Sequence, residues 1–235
     1  APALEITLLP FPFAPFGVHT AETARGAATG FLERGADGIY LFNFMDAPAS
    51  HPLGVGGLRA ILKEIGSLDT MADKPRRHVV TFASPRYPGE PHNAALPYRL
   101  GTYGYRPSAE FRVPTGPAPA PGQEVFVRVG LQADVETGGG EGKGESVTAF
   151  GRQIAYSSLP VDPVVARELR VYLDGVLCPF AETIPLDGAI LGPTHSYRVP
   201  PGALHSGENV VELRNRTETT ALVVWVEVKV ESQAI

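Results

Sequence analysis

Few side chains in this sequence could do chemistry by type and spacing alone. The single tryptophan, Trp225, stands among charged residues in a C-terminal run of alternating character. An indole exposed on a strand face can stack on a sugar ring. The alternative is an indole covered by another part of the chain, since large aromatics usually end up mostly buried. The one cysteine, Cys178, can form neither an internal disulfide nor a multi-thiolate metal site. His19 and His51 stand alone in loop-like stretches, with no His-x-x-x-His or His/Asp cluster to suggest a metal. Residues 137–144 hint at a phosphate loop, but Thr137 occupies the place of its first glycine and Gly144 the place of its hydroxyl residue. Glu136, Glu141 and Glu145 would also repel phosphate, so the stretch reads as a hairpin loop. A Gly-x-Ser-x-Gly nucleophile elbow is absent. No metal and no cofactor is expected.

Composition bounds what can position such groups. The chain has 235 residues, long enough for one large domain or two small ones. Hydrophobic residues make up 43% and charged residues 19%, which excludes a disordered tail or a coiled coil. Gly and Pro number 26 and 23, about a fifth of the chain against roughly 12% in an average protein. That excess argues against a helical bundle and for strands joined by many turns. Net charge is −5 and no long basic run occurs, so no nucleic-acid partner is expected. No apolar stretch reaches the roughly 20 residues of a membrane span. The start carries no charged n-region or apolar h-region, so no signal peptide is read in it.

The patterning changes near residue 85. Residues 4–9 are strand-like and end at Pro10. Thr20 is a good N-cap, Ala24, Ala28, Phe31 and Leu32 recur at helical spacing, and Gly35 is a natural C′ residue. Residues 38–44 form a continuous apolar run, as in a strand buried on both faces. Leu58, Ile61, Leu62 and Ile65 mark a second amphipathic helix, closed by Gly66. Val79-Val80-Thr81-Phe82 adds a third strand. The β-α-β-α-β order predicts adjacent, mostly parallel strands over 3–9, 38–44 and 78–82, with helices near 20–34 and 57–65. Residues 86–108, rich in Pro, Gly and Tyr, read as a linker.

From 109 the reading is all-β. Val125, Val127, Val129 and Leu131 alternate with Phe126, Arg128, Gly130 and Gln132, and Leu169, Val171 and Leu173 with Arg170, Tyr172 and Asp174. Asp174-Gly175 predicts a type I′ hairpin turn. In the last strand Leu222, Val224, Val226, Val228 and Val230 are expected on one face, with Trp225, Glu227 and Lys229 on the other. These runs predict one antiparallel sandwich over 109–231, its core including Val127, Val129, Leu173, Leu213, Val226 and Val228.

Two stretches carry a family likeness. Ala24-Arg25-Gly26-Ala27-Ala28 followed by Gly35-Ala36-Asp37-Gly38-Ile39-Tyr40-Leu41-Phe42-Asn43 resembles the end of (β/α)-barrel glycoside-hydrolase-like proteins. The likeness continues through Leu62-Lys63-Glu64-Ile65-Gly66-Ser67. Tyr197-Arg198-Val199-Pro200 and Gly207-Glu208-Asn209-Val210-Val211, with Leu173-Asp174-Gly175, resemble the galactose-binding-like jelly rolls attached to many glycosidases. The resemblance implies an α/β segment, a partial β/α barrel of parallel strands over 1–85, then an all-β antiparallel jelly-roll sandwich over 109–235. A whole barrel takes roughly 250 residues, so the chain reads as the C-terminal part of a longer carbohydrate-active protein. The alternative is a non-catalytic carbohydrate-binding or structural module.

The resemblance also implies where chemistry would sit. Glycosidases use paired carboxylates. Glu5 lies in the penultimate strand of the implied barrel and Asp46 follows the last, which makes them the catalytic candidates. Glu5 comes early in its run, and a solvated structural role is the alternative. Asn43 could hydrogen-bond a sugar hydroxyl and Phe44 could stack on a pyranose, since barrel sites lie at C-terminal strand ends. Asn43 capping a turn is the competing reading. His51 flanks the same face, and with Trp225 completes the substrate-binding set. The expected partner is an oligo- or polysaccharide. The missing N-terminal barrel portion, or self-association, would cover the open sheet edge. A secreted or periplasmic location is expected.

Overall fold

The computed structural model describes residues 3–5, 20–42, 54–80, 95–96, 98–134, 145–149, 152–156, 161–184 and 193–232. The N-terminal elements are β1 (Ala3–Glu5), α1 (Ala21–Glu33), β2 (Tyr40–Phe42) and α2 (Gly54–Glu64). β1 and β2 pair in parallel, Ala3 opposite Tyr40 and Glu5 opposite Phe42. A parallel pair needs a crossover, and α1 lies in it. Thr20 caps α1 as its sequence suggests: its hydroxyl accepts from the Thr23 N–H at 3.1 Å, and the Thr23 hydroxyl accepts from the Thr20 N–H at 2.9 Å. Two donors of the first turn are thereby satisfied. Gly35 ends the helix at φ +90°, donating to the Leu32 carbonyl. Ala24 and Ala28 of α1 form a small core with Leu58, Ile61, Ile65 and Met71 from α2 and the turn after it.

A second face of α1 is made of small residues for a different reason. A Cβ on Gly26 would lie 1.9 Å from the Arg77 carbonyl oxygen, and one on Gly30 would lie 3.1 Å from that of Pro114. The helix therefore rests directly on two strand backbones, β3 (Arg76–Val79) and β5 (Ser108–Gly116).

Those two strands are edges of a two-layer antiparallel sandwich. Its further strands are β4 (Tyr98–Leu100), β6 (Gln123–Ala133), β9 (Arg170–Leu173), β10 (Val176–Cys178), β11 (Phe180–Ile184), β12 (Thr194–Arg198), β13 (Gly207–Arg214) and β14 (Ala221–Ser232). The smaller sheet runs β10-β9-β13-β5, and the larger runs β11-β12-β6-β14-β3 with β4 also beside β14. Between β6 and β9 the chain adds the hairpin β7 (Glu145–Ala149) and β8 (Arg152–Tyr156) and a short helix, α3 (Pro163–Glu168). The six residues expected in the sandwich core, Val127, Val129, Leu173, Leu213, Val226 and Val228, are all fully buried. The β9–β10 turn has Asp174 at φ +47° and Gly175 at φ +79°, both left-handed as a type I′ turn requires.

Four features depart from the sequence reading. Of the third strand, expected over 78–82 beside β2 in parallel, residues 81–82 lie outside the described residues, and 78–79 belong to β3, which pairs antiparallel with β14, His78 opposite Val228. Beyond β6, β14 offers a long run of ladder groups, and an edge strand satisfies them. Leu96 and Leu100, within the stretch read as linker, are buried in the sandwich core. α3 occurs where only strands were expected: Asp162 caps it by accepting from the Val164 N–H at 2.9 Å, and Pro163 supplies the first helical residue. Lastly, a bulge between Val223 and Trp225 breaks the alternation in β14. Ala221 and Val223 face the core ahead of it, in place of Leu222 and Val224, and Val226, Val228 and Val230 follow.

Candidate functional site

The structure places the sequence-derived candidates unevenly. Glu5 is the last residue of β1 and pairs with Phe42 at the end of β2. Asn43, Phe44, Asp46 and His51 lie outside the described residues. The backbone register brings Glu5 and Phe42 to the same ends of two adjacent parallel strands.

Trp225 follows the bulge in β14, opposite Gly130 of β6. A Cβ at Gly130 would come within 2.8 Å of the Trp225 Cβ, so the glycine makes room for the indole. Where an exposed, stacking ring was one expectation, the residue is 3% exposed.

Next to Trp225 on the outer face of the larger sheet lies a charge cluster that sequence reasoning missed. Glu227 is fully buried. Its Oε2 is 2.9 Å from Nε of Arg77 on β3, and its Oε1 is 3.9 Å from Nη1 of Arg128 on β6. Arg77 and Arg128 are themselves buried. One carboxylate thus faces guanidiniums from two neighbouring strands, an arrangement that joins β3, β14 and β6 electrostatically. Oε2 accepts from Arg77 and Oε1 lies at ion-pair distance from Arg128, so Glu227 is placed as the anion between two cations.

A second group surrounds α2. Glu64 accepts from Arg25 Nε at 2.8 Å and lies 2.8 Å from Lys74 Nζ. Burial acts to raise the Glu64 carboxyl, but hydrogen bonds from Lys74 and Arg25 and their charges outweigh it and hold the group below its ordinary value. Arg59, Lys63, Thr70 and Lys74 line an open groove beside it. This is solvated ion-pair chemistry, without an isolated carboxyl to act as general acid.

The buried histidines are held neutral. Burial, then the charge of Arg76, pushes His78 down to about 3, while the Gly26 and Pro114 backbones lie near its ring without closing hydrogen bonds of good geometry. Burial pushes His195 down to about 4, with Nδ1 3.1 Å from the Thr183 hydroxyl. Burial likewise raises the Cys178 thiol to about 11, so it is a packed thiol rather than a nucleophile. Among the described residues no cluster of three or more His, Cys, Asp or Glu could hold a metal, and no helix is long and apolar enough to cross a membrane.

No family model matches the chain, and no curated relative does. Among solved structures, a point variant of BuGH86 in complex with neoagarooctaose aligns at TM-score 0.36 and 10% identity, covering 66% of this chain and 19% of that one. Wild-type BuGH86 in the same complex aligns at TM-score 0.32 and 10% identity, covering 66% of this chain and 18% of that one. The chain spans about a fifth of the length of these structures.

Proposed function

We propose that the chain is the C-terminal portion of a carbohydrate-active protein related to glycoside hydrolases, ending in an accessory sandwich of sugar-binding type. The observation that carries this reading is the order of architectures within one chain. A parallel β1–β2 pair crossed by α1 precedes a two-layer antiparallel sandwich. That is the order implied by the motifs of residues 24–43 and 197–211. In this reading the parallel strands are the last units of a β/α barrel whose remaining units belong to the parent protein. Glu5 and Asp46 are its catalytic candidates, and Asn43, Phe44 and His51 its substrate-binding candidates; Trp225, being buried, drops out of that set. The location is secreted or periplasmic, where polysaccharide substrates are met.

A non-catalytic binding module is the second reading. One observation favours it for these residues taken alone: β3 completes the larger sheet and α1 rests on both sheet edges, so the N-terminal elements also serve the sandwich. Turnover separates the two. The chain is assayed against a panel of polysaccharides and aryl glycosides, with Glu5→Gln and Asp46→Asn alongside. A barrel glycosidase needs two carboxylates roughly 5–10 Å apart across the scissile bond, and the partial barrel supplies no assured pair. The expected result is no substantial hydrolysis. Robust hydrolysis abolished by either substitution would overturn the reading of a partial barrel and identify a complete enzyme.

A further inference from the structure

We infer that the paired loops 101–107 and 215–219 form a binding site for an anionic saccharide, with Tyr103 and Tyr105 as stacking surfaces and Arg106 and Arg216 as anion-binding groups. The assignment rests on the carbohydrate-active reading for its ligand class. Its geometry is independent of the candidates above.

Both rings face solvent: Tyr103 is 52% exposed and Tyr105 is 68% exposed. They are not carried on a loose loop. Asn215, fully buried, donates from Nδ2 to the Gly101 and Thr219 carbonyls at 2.8 Å each, and its backbone N–H donates to the Pro107 carbonyl at 2.7 Å. Its Oδ1 accepts from the Thr217 N–H at 3.0 Å and the Thr217 hydroxyl at 2.9 Å. The Tyr103 N–H donates to the Thr217 carbonyl at 2.9 Å, which ties one loop to the other. Gly101 permits the tight return of the chain, since a Cβ there would lie 1.9 Å from the Tyr105 carbonyl oxygen. Arg106 is held at φ +48°, a conformation that non-glycine residues rarely adopt. A strained, cross-pinned loop that presents aromatic surface to water is organised ahead of any ligand.

The cations complete the site. The Arg216 guanidinium lies 4.9 Å from the Tyr103 ring centroid, and that of Arg106 lies 5.5 Å from the Tyr105 centroid. Arg214, nearby in sequence, lies 4.8 Å from Tyr172 but is also paired with Glu212, Nε to Oε1 at 2.5 Å and Nη2 to Oε2 at 2.9 Å. Among the described residues neither Arg106 nor Arg216 has such a carboxylate. Each guanidinium lies over its ring, and both rings stay more than half exposed, which suits a pyranose that carries a carboxylate or a sulfate, the sugar on tyrosine and the anion on arginine.

Native affinity electrophoresis of the full chain tests the site, in gels holding polygalacturonate, carrageenan or neutral agarose. Tyr103→Ala, Arg216→Gln and wild type are compared, with thermal unfolding as the folding control. The expected result is wild-type retardation by an anionic polymer. Each substitution should weaken it about tenfold at unchanged melting temperature, the scale of one stacking or charge contact. Tyr103→Ala leaves the charge unaltered, so its loss separates a site from bulk attraction. Polygalacturonate against carrageenan tells carboxylate from sulfate. Wild-type retardation by agarose alone, undiminished retardation of either variant, or a loss confined to Arg216→Gln would overturn the site and leave the carbohydrate-active reading standing. Wild type unretarded in every gel would likewise overturn the site, while the carbohydrate-active reading is tested separately by retention on other polysaccharide classes.

Discussion

At the residue scale, Glu227 shows how much of this molecule depends on a single buried charge. Its carboxylate lies between Arg77 and Arg128 with no exposure to water. Removing one partner of a buried ion pair costs about 3–5 kcal/mol, because the charges left behind lose their compensation. Glu227→Gln should therefore lower the unfolding free energy by about that amount in urea titration. The buried histidines predict the pH response. His78 is held down to about 3 and His195 to about 4, against 6.5 in the unfolded chain. As pH falls below 6.5 the unfolded state takes up these protons first. The stability tied to them is thus fully present above pH 6.5 and is lost progressively towards pH 4 and 3. His195→Gln should flatten that acid-side slope when melting temperature is followed across pH. Sequence showed some of these residues and hid others. Thr20, Gly35 and Asp174-Gly175 were legible because caps and type I′ turns are local chemistry. The bulge at Val223–Trp225 was not, since strict alternation in the sequence carries no mark of an inserted residue. Tyr103 and Tyr105 lay in a stretch read as linker, and only the fold brings Asn215 and Arg216 to them.

At the scale of elements, α1 joins two regions that the sequence kept apart. Its alanines meet α2, and its glycines let it lie on the backbones of β3 and β5. Gly26→Ala is the sharpest test. Alanine raises intrinsic helix stability by about 0.8–1 kcal/mol over glycine. Here its methyl would stand 1.9 Å from the Arg77 carbonyl oxygen, a backbone atom that cannot swing aside. The substitution should destabilise on balance, by the roughly 1–3 kcal/mol of an overpacked contact. A gain in denaturation midpoint would mean that the helix does not rest on β3. The helices and most sandwich strands were legible because amphipathic period and alternation are properties of short windows. β3 was misread because the strand signal was taken from Val79-Val80-Thr81-Phe82, whereas the paired residues are Arg76–Val79, whose polar side chains meet β14 about 150 residues further on. α3 carried its signal in Asp162-Pro163, a capping residue before a first-turn proline, within a region otherwise dominated by alternation.

At the scale of the whole molecule, the larger hydrophobic core lies in the sandwich and a smaller one between α1 and α2. β1 and β2 form a separate two-stranded parallel pair, while β3 and β4 extend the sandwich's larger sheet. Among the described residues no third strand pairs with either of them, which suits the proposal that this chain continues a barrel supplied by its parent. The central claim, a carbohydrate-active chain that engages saccharide without turning it over alone, is tested most directly by one measurement. The purified chain is incubated with insoluble polysaccharides of several classes. Protein retained in the pellet is quantified, and released reducing ends are measured in the same tubes. The account predicts retention on at least one polysaccharide with no reducing ends above the protein-free control. Retention on none would contradict it.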